Sequence, residues 1–581
     1  MANYDVTAST DLDSFLAANP GYSNTEKTAD RVYVSGGVAV IFTWPTGSTA
    51  TEWHVNNIYL GDNAAGTAIQ KGGSLDITNT DDVTLFLGGG THNTSNGNIE
   101  CEAECNVTVV GSSGHEVLVT SEGDTGGTKG WTLDRYNRAN TGNLTLNYMI
   151  IERGQYGIMY NANWSSGEFS FNNIISRSVE NYNSYFNGYP PNASSTITFS
   201  NVTSYTKRSF HMLGVWTGST MTFDNFKSYA AGAGIIFDGY ASCTITIQNS
   251  DFYGNGAQPI FLNSSSYDNV TITIDTCNFH PGAGVAYVKA DDNSDIEFKN
   301  CEFHSTIYWS IGDIGSTYKI HDCDFYQSGN FDIVVNSETL EAYDCNFYGQ
   351  TQVQAFKNVS LTGTYDIHDN NFYDCTYSYG VCRTHNTNPA EATSSLVYNN
   401  EFHNSGGVLF GTEQTINATS EFYNNKIRLN RVANSNISID GNQDVATGPG
   451  YLSFACGSRD TRNFPYLAGD QDVTAPTWDS TTGIQTLTAL SDSSLNASWN
   501  GATDTSTPVR YRIFIQAGTA HDLFEDRNIL CDTQDTSFRI YTVGDGLTAL
   551  ASGVTYYVGV RALDAVGNVG TNTTSLSIAA I

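Results

Sequence analysis

One six-residue pattern recurs through the middle of the chain and constrains the fold more than any other feature. It reads Ile247-Gln-Asn-Ser-Asp-Phe252, Ile274-Asp-Thr-Cys-Asn-Phe279, Phe298-Lys-Asn-Cys-Glu-Phe303 and Ile320-His-Asp-Cys-Asp-Phe325. Ala342-Tyr-Asp-Cys-Asn-Phe347, Ile367-His-Asp-Asn-Asn-Phe372, Val397-Tyr-Asn-Asn-Glu-Phe402 and Phe422-Tyr-Asn-Asn-Lys-Ile427 continue it. The template is apolar, any residue, Asn/Asp, Cys/Asn/Ser, any residue, Phe. Weaker copies start at Leu146, Phe171, Phe199, Phe223 and Ile439. Fourth positions follow one another at 22 to 30 residues, except for a last gap of 17. Alternating stretches such as Thr244-Ile-Thr-Ile247 precede the template, and short apolar runs such as Asp332-Ile-Val-Val335 follow it. A unit of this size cannot bury its own apolar face, but stacked copies share one core. Stacking predicts an internal column of Phe252, Phe279, Phe303, Phe325, Phe347, Phe372 and Phe402. It also predicts a second column of buried thiols at Cys277, Cys301, Cys323 and Cys345, with Asn and Asp in left-handed or bridging corner conformations.

On these residues the chain resembles the right-handed parallel β-helix family over roughly residues 50 to 455. The resemblance implies a coil of two or three short strands per repeat. Thirteen markers at one strand spacing each imply a rod at least ~60 Å long. The expected organisation is an N-terminal cap region at 1–50, a right-handed parallel β-helix at 51–468, and a separate domain at 469–581. Within the cap, Thr10-Asp-Leu-Asp-Ser-Phe-Leu-Ala-Ala18 reads as a helix with Thr10 as N-cap, suited to covering an open sheet end or serving as an arm before the first strand. After Gly469 the period stops, and alternating strands such as Leu495–Trp499, Arg510–Ile515 and Tyr556–Ala562 follow. Trp499, and Leu550-Ala-Ser-Gly-Val-Thr-Tyr556 before a core tyrosine, resemble a fibronectin type III domain, implying an immunoglobulin-like β-sandwich.

Composition agrees with an all-β protein: 34 Tyr, 29 Phe and 55 Gly stand beside 5 Met. Asp+Glu exceed Lys+Arg by 59 to 26, a formal net charge of -33, which opposes nucleic-acid binding. No run of eighteen apolar residues exists, so no membrane span is expected. Met1-Ala-Asn-Tyr-Asp-Val has neither the basic nor the apolar region of a secretory signal, so synthesis in a cytoplasm is expected. Of 11 cysteines, Cys101 with Cys105, or Cys375 with Cys382, are near enough in sequence to pair.

Catalytic patterns are sparse. Asp81-Asp82 and Asp291-Asp292 are present, but the Gly-His-Gly and Arg-x-Lys of polygalacturonase-like sites are missing, and lyase chemistry has few cations to use. His280, His304 and His403 share a column with Tyr253, Tyr326, Tyr348 and Tyr373, while His321 and His368 share another. Nothing supplies a third metal ligand at a fixed position, so a solvent-facing aromatic ladder is expected, with no metal and no cofactor. Asp291-Asp-Asn-Ser-Asp295 lacks the spacing of a calcium loop and reads as an acidic turn. Aromatics of the longer corners are the glycan-binding candidates: Trp131, Tyr136, Trp164, Tyr185, Tyr189, Trp216 and Trp309. Packing of the same rings onto the rod is the competing reading.

The expected function is that of a structural virion protein of a tailed bacteriophage: a fibre, spike or capsid decoration. It would sit on the virion surface beside other virion proteins and adhere to host cell-surface polysaccharide, without enzymatic turnover. A polysaccharide depolymerase and a bacterial surface adhesin are the alternatives. Strand alternation turns Met159, Ile236 and Phe261 outward, which suggests a partner surface, and the resemblance to rod-shaped viral proteins implies a homotrimer.

Overall fold

The computed structural model describes residues 2–24, 30–35, 40–61, 72–87, 98–101, 105–121, 132–134, 143–161, 166–187, 194–206, 208–213, 217–229, 233–238, 242–253, 260–263, 269–280, 287–289, 293–304, 307–311, 316–326, 331–335, 339–349, 354–358, 364–373, 375–377, 380–384, 394–403, 406–412, 421–423, 426–428, 437–440, 466–467, 474–490, 494–505, 507–521, 523–525, 528–543, 550–564 and 568–581. The chain forms two compact units: Met1–Asp251 with Phe261–Ile272, and Phe252–Ile260 with Thr273–Ile581.

In the first unit, parallel pairing begins at the N-terminus, where Asn3–Val6 pairs in register with Arg31–Val34 and Thr10–Asp11 with Phe42–Thr43. Residues 1–50 therefore hold strands of the stack as well as the helix. A coil comprises three strands, as in Arg31–Val34, Ile41–Thr43 and Glu52–Val55, and each pairs in parallel with its counterpart on the next coil. On the first coil the helix Leu12–Ala18 stands where a third strand would be. Its N-cap is Asp11, whose carboxylate accepts the Ser14 N–H at 2.8 Å, and not Thr10, which lies in the preceding strand. Thr10 stands one residue too early for this contact, and its hydroxyl donates to the Asp11 carbonyl at 3.3 Å. Leu12 and Phe15 are buried, and the Phe15 ring meets Phe42 edge-on at 5.4 Å. The backbone of the neighbouring strand Glu52–Val55 is blunted by side chains. Asn24 accepts the His54 N–H at 2.8 Å and donates to the Glu52 carbonyl at 3.2 Å, while the Tyr22 hydroxyl donates to the His54 carbonyl at 2.7 Å. These bonds occupy groups that would otherwise pair with another strand.

The second unit repeats the three-strand coil. Asp295–Lys299, Glu302–Phe303 and Ile307–Ile311 form one coil, followed by Thr317–His321, Asp324–Phe325 and Phe331–Val335. Each strand pairs in parallel with its successor. This is a parallel β-solenoid.

Each template position has a physical task. Position three is left-handed on coil after coil, with φ of 51° at Asn249, 53° at Asn300, 54° at Asp322, 53° at Asp344 and 56° at Asp369. Asn and Asp tolerate that region best among residues with a Cβ. The amides of these residues also link coils: Asn249 donates to Asp224 and Asn300 to Asp275, both at 2.8 Å. Position four turns inward and donates to the carbonyl two residues earlier, through Ser250 at 2.7 Å, Cys301, Cys323 and Cys345 at 3.2 Å, and Asn400 at 3.0 Å. One small side chain with one donor suffices, which explains the Cys/Asn/Ser tolerance. Position six builds the core. Phe303 is fully buried and stacks on Phe279 at 4.7 Å and Phe325 at 4.8 Å. The weak copy at Ile439 departs from the pattern, because Ile439 pairs with Phe410 on a different sheet and not with the column that ends at Phe422. The shortened gap before it is the sequence trace of that departure.

Ile236 is buried at 7% exposure, so the outward apolar face expected there is absent; a coil face lined by side chains on both sides is not read by simple alternation. Met159 and Phe261 lie on strands whose side chains are outside the described set. Cys101 and Cys105 are buried and not disulfide-bonded, and Cys105 donates to the Leu60 carbonyl at 3.3 Å. Cys375 is likewise buried and not disulfide-bonded, and the Cys382 side chain is outside the described residues.

The C-terminal residues form a three-stranded and a four-stranded antiparallel sheet, beside a short two-stranded one of Thr477–Trp478 and Ala502–Thr503. Three strands, Ile484–Ala489, Leu495–Trp499 and Ser537–Ile540, make one. Ile529–Thr533, Arg510–Ala517, Thr555–Leu563 and Ser575–Ala579 make the other. Trp499, Ile513, Phe538, Tyr556 and Val560 share one core. The Tyr556 hydroxyl accepts the Ala551 N–H at 2.9 Å, tying the strand to the turn before it.

Candidate functional site

Two outward strips run up the coils of the second unit, one covered and one open. The covered strip follows the Phe column. Tyr253 stacks on His280 at 3.9 Å, His304 on Tyr326 at 4.4 Å, Tyr326 on Tyr348 at 5.1 Å and Tyr348 on Tyr373 at 5.1 Å. This column was expected to face solvent, yet His304, Tyr326, Tyr348 and Tyr373 are all buried. The C-terminal sheets lie over it. Tyr541 meets Tyr253 at 4.1 Å, and Phe538 approaches His280 at 6.0 Å and His304 at 5.7 Å. Gln534 donates to the Tyr348 hydroxyl at 2.7 Å, and the Arg510 guanidinium lies 4.9 Å above the Tyr348 ring. Burial pushes the Tyr326 and Tyr348 phenols far up, helped by the Asp324 carboxylate beside them. Arg510 is itself wholly buried and donates to Asp532 at 3.2 Å; Arg512 holds the same carboxylate at 2.7 and 2.9 Å. Burial alone would raise the Asp532 carboxyl, but the two guanidiniums hold it below its ordinary value.

The open strip lies on the strand that ends in the first two template positions. His321, Tyr343, His368 and Tyr398 stack at 4.8, 5.1 and 4.8 Å with nearly parallel planes. Beside them runs a charged row, with Glu297 opposite Lys319, Lys319 opposite Glu341 and Glu341 opposite Asp366. Lys319 and Glu341 pair at 3.0 Å, and that hydrogen bond raises the lysine. His321 lies 3.3 Å from Glu297 and 2.8 Å from Asp322, and His368 lies 2.8 Å from Asp369. Burial raises the Asp366 carboxyl, with Glu341 adding to the effect and His368 opposing it. Rings stacked face to face spend their faces on each other, so this strip offers a ligand only ring edges and polar atoms.

Of the glycan-binding candidates, Trp131, Tyr136, Trp164, Tyr189 and Trp216 lie outside the described residues. Tyr185 stands on the strand Ser166–Asn187 in register with Met159 and with the half-buried His211. Trp309 stands on Ile307–Ile311 in register with Ile333. The side chains of both are outside the described set. Asp81 accepts the Gly47 N–H at 2.9 Å and Asp82 meets His115 at 3.1 Å, while Asp291 and Asp292 are not described. Among the described residues no three His, Cys, Asp or Glu side chains converge as a metal site, and no helix is long and apolar enough to cross a membrane. Sequence reading missed Arg510, Gln534 and Phe538. Alternation marks Arg510 as outward without saying what meets it, Gln534 lies between strands, and Phe538 also belongs to the core of the sheets.

No protein-family model, curated protein or solved structure matches the chain.

Proposed function

We propose that this is a structural virion protein of a tailed bacteriophage, a fibre, spike or capsid decoration, displayed on the virion surface beside other virion proteins. In this reading the solenoid is a right-handed parallel β-helix and the C-terminal sheets are a fibronectin type III-like sandwich. The observation that carries the proposal is how the second unit uses its side chains. The template residues serve inter-coil bonds, core stacking and the seat for the C-terminal sheets, as suits a stiff display scaffold. The three-plus-four strand arrangement and the Tyr556–Ala551 bond support the sandwich. Host cell-surface polysaccharide is the proposed adhesion target, and a net charge of -33 favours neutral or cationic glycans over anionic ones. A homotrimer remains part of the proposal, without Ile236 as support. Electron microscopy of particles labelled with antibody against this chain tests the assignment, and absence of label from virions would overturn it.

The depolymerase alternative has one specific support: Glu341 and Asp366, carboxyls on adjacent coils, of which Asp366 is held up by burial. Glycoside hydrolysis needs such a protonated acid beside a second carboxylate. Incubation with host envelope polysaccharide and size-exclusion analysis separates the readings. We expect binding without shortening of the polymer; shortening that Asp366→Asn abolishes would establish the hydrolase.

A further inference from the structure

The seat of the C-terminal sheets brings acids of the coils and of the sheets close together. Glu302 and Asp324 lie directly opposite on neighbouring strands, both half-buried, where like charges repel. His304 faces Glu302 at 3.3 Å, and the Asp324 carboxylate accepts from the Asn346 amide at 2.8 Å and the Tyr326 hydroxyl at 3.4 Å. From the opposing sheets come Asp532, already held by Arg510 and Arg512, and Asp535 on the rim. Arg539 lies over Tyr541, 5.2 Å from its ring. Among the described ion pairs, none joins a lysine or arginine to Asp324 or Asp535. The two arginines of the seat both bind Asp532.

We propose that this seam is a pH-dependent clamp, which holds the C-terminal sheets on the Tyr/His strip more tightly in mild acid than at neutral or alkaline pH. Docking places Asp324 under Tyr326, Tyr348 and the sheets, where an ionised carboxylate is poorly solvated and faces Glu302. Burial first, then Glu302, raises the Asp324 carboxyl, and burial and Glu302 raise Asp535 in the same direction. A carboxyl whose value is higher docked than free binds its proton more tightly when docked. Its contribution is complete below the ordinary carboxylate range and is lost as pH rises through the raised value. Both acids thus favour release on the alkaline side.

Hydrogen–deuterium exchange of the full chain, corrected for the intrinsic pH dependence of exchange, tests this. Peptides spanning 529–543 and 324–326 are followed between pH 4.5 and 8, with 317–321 as a reference inside the solenoid. Protection of the seam peptides is expected to fall about tenfold across that range while the reference stays constant. Asp324→Asn and the double variant Asp324→Asn/Asp535→Asn keep the shape of the site without its charge. In the double variant, protection at pH 8 is expected to equal or exceed that of the parent at pH 4.5. Constant protection in the parent, a pH dependence that survives in the double variant, or a parallel loss in the reference peptide would each overturn the clamp.

Discussion

The Tyr348 hydroxyl accepts a hydrogen bond from the Gln534 amide at 2.7 Å across 186 residues of sequence, and Arg510 covers the same ring. Tyr348 belongs to the repeat, and its partners belong to a segment that has none. The single residue therefore reports on two kinds of packing, along the coil stack and across to the sheets. Tyr348→Phe removes only the acceptor and should cost about 0.5–1.5 kcal/mol. Tyr348→Ala also removes both stacking faces and the cation–π contact, and should cost about 3–5 kcal/mol. Urea denaturation of the two variants beside the parent checks the order.

Phe303 tests the coil register. With rings of Phe279 and Phe325 on either side, Phe303→Ala opens a cavity inside the stack and should cost about 3–5 kcal/mol. Phe303→Leu keeps most of the volume and should cost clearly less. Equal midpoints for Phe303→Ala and the parent would mean that the ring column does not hold the coils together.

The left-handed corner predicts a loss and a gain. Asn300→Ala puts a poorly suited residue at φ 53° and removes the amide bond to Asp275, and should cost about 1–2 kcal/mol. Thr276 occupies the same corner at φ 54° with a β-branched side chain. Thr276→Asn should stabilise by about 1 kcal/mol. Thermal unfolding of both variants, scanned under identical conditions, checks the opposite signs.

The thiol column should stay reduced. Cys277, Cys301, Cys323 and Cys345 are buried and not disulfide-bonded. Burial pushes the Cys323 thiol well up, which leaves it a poor nucleophile. Mass spectrometry of the native protein treated with a maleimide should find all four unmodified until denaturant is added. Cys323→Ser should cost only about 1 kcal/mol, because a hydroxyl can make the bond to the His321 carbonyl that Ser250 makes on its own coil.

The chain's own order of residues determined the coil. Each template position meets the same position on the next coil, so a periodic sequence names its own neighbours once the period is counted. That is why the buried place of Phe303, the inward thiols and the left-handed asparagines were readable in advance. Even the exceptions were local: Asp11 rather than Thr10 caps the helix because the helix begins at Leu12 and the Asp11 carboxylate reaches the Ser14 N–H. The fate of Tyr326, Tyr348 and His304 was not readable. Periodicity shows that such side chains point outward, and an outward aromatic looks the same whether water or protein lies beyond it. Only the tertiary structure decided that Phe538, Gln534 and Arg510 cover them, because that contact joins a repeating segment to a non-repeating one. No spacing within either segment encodes it.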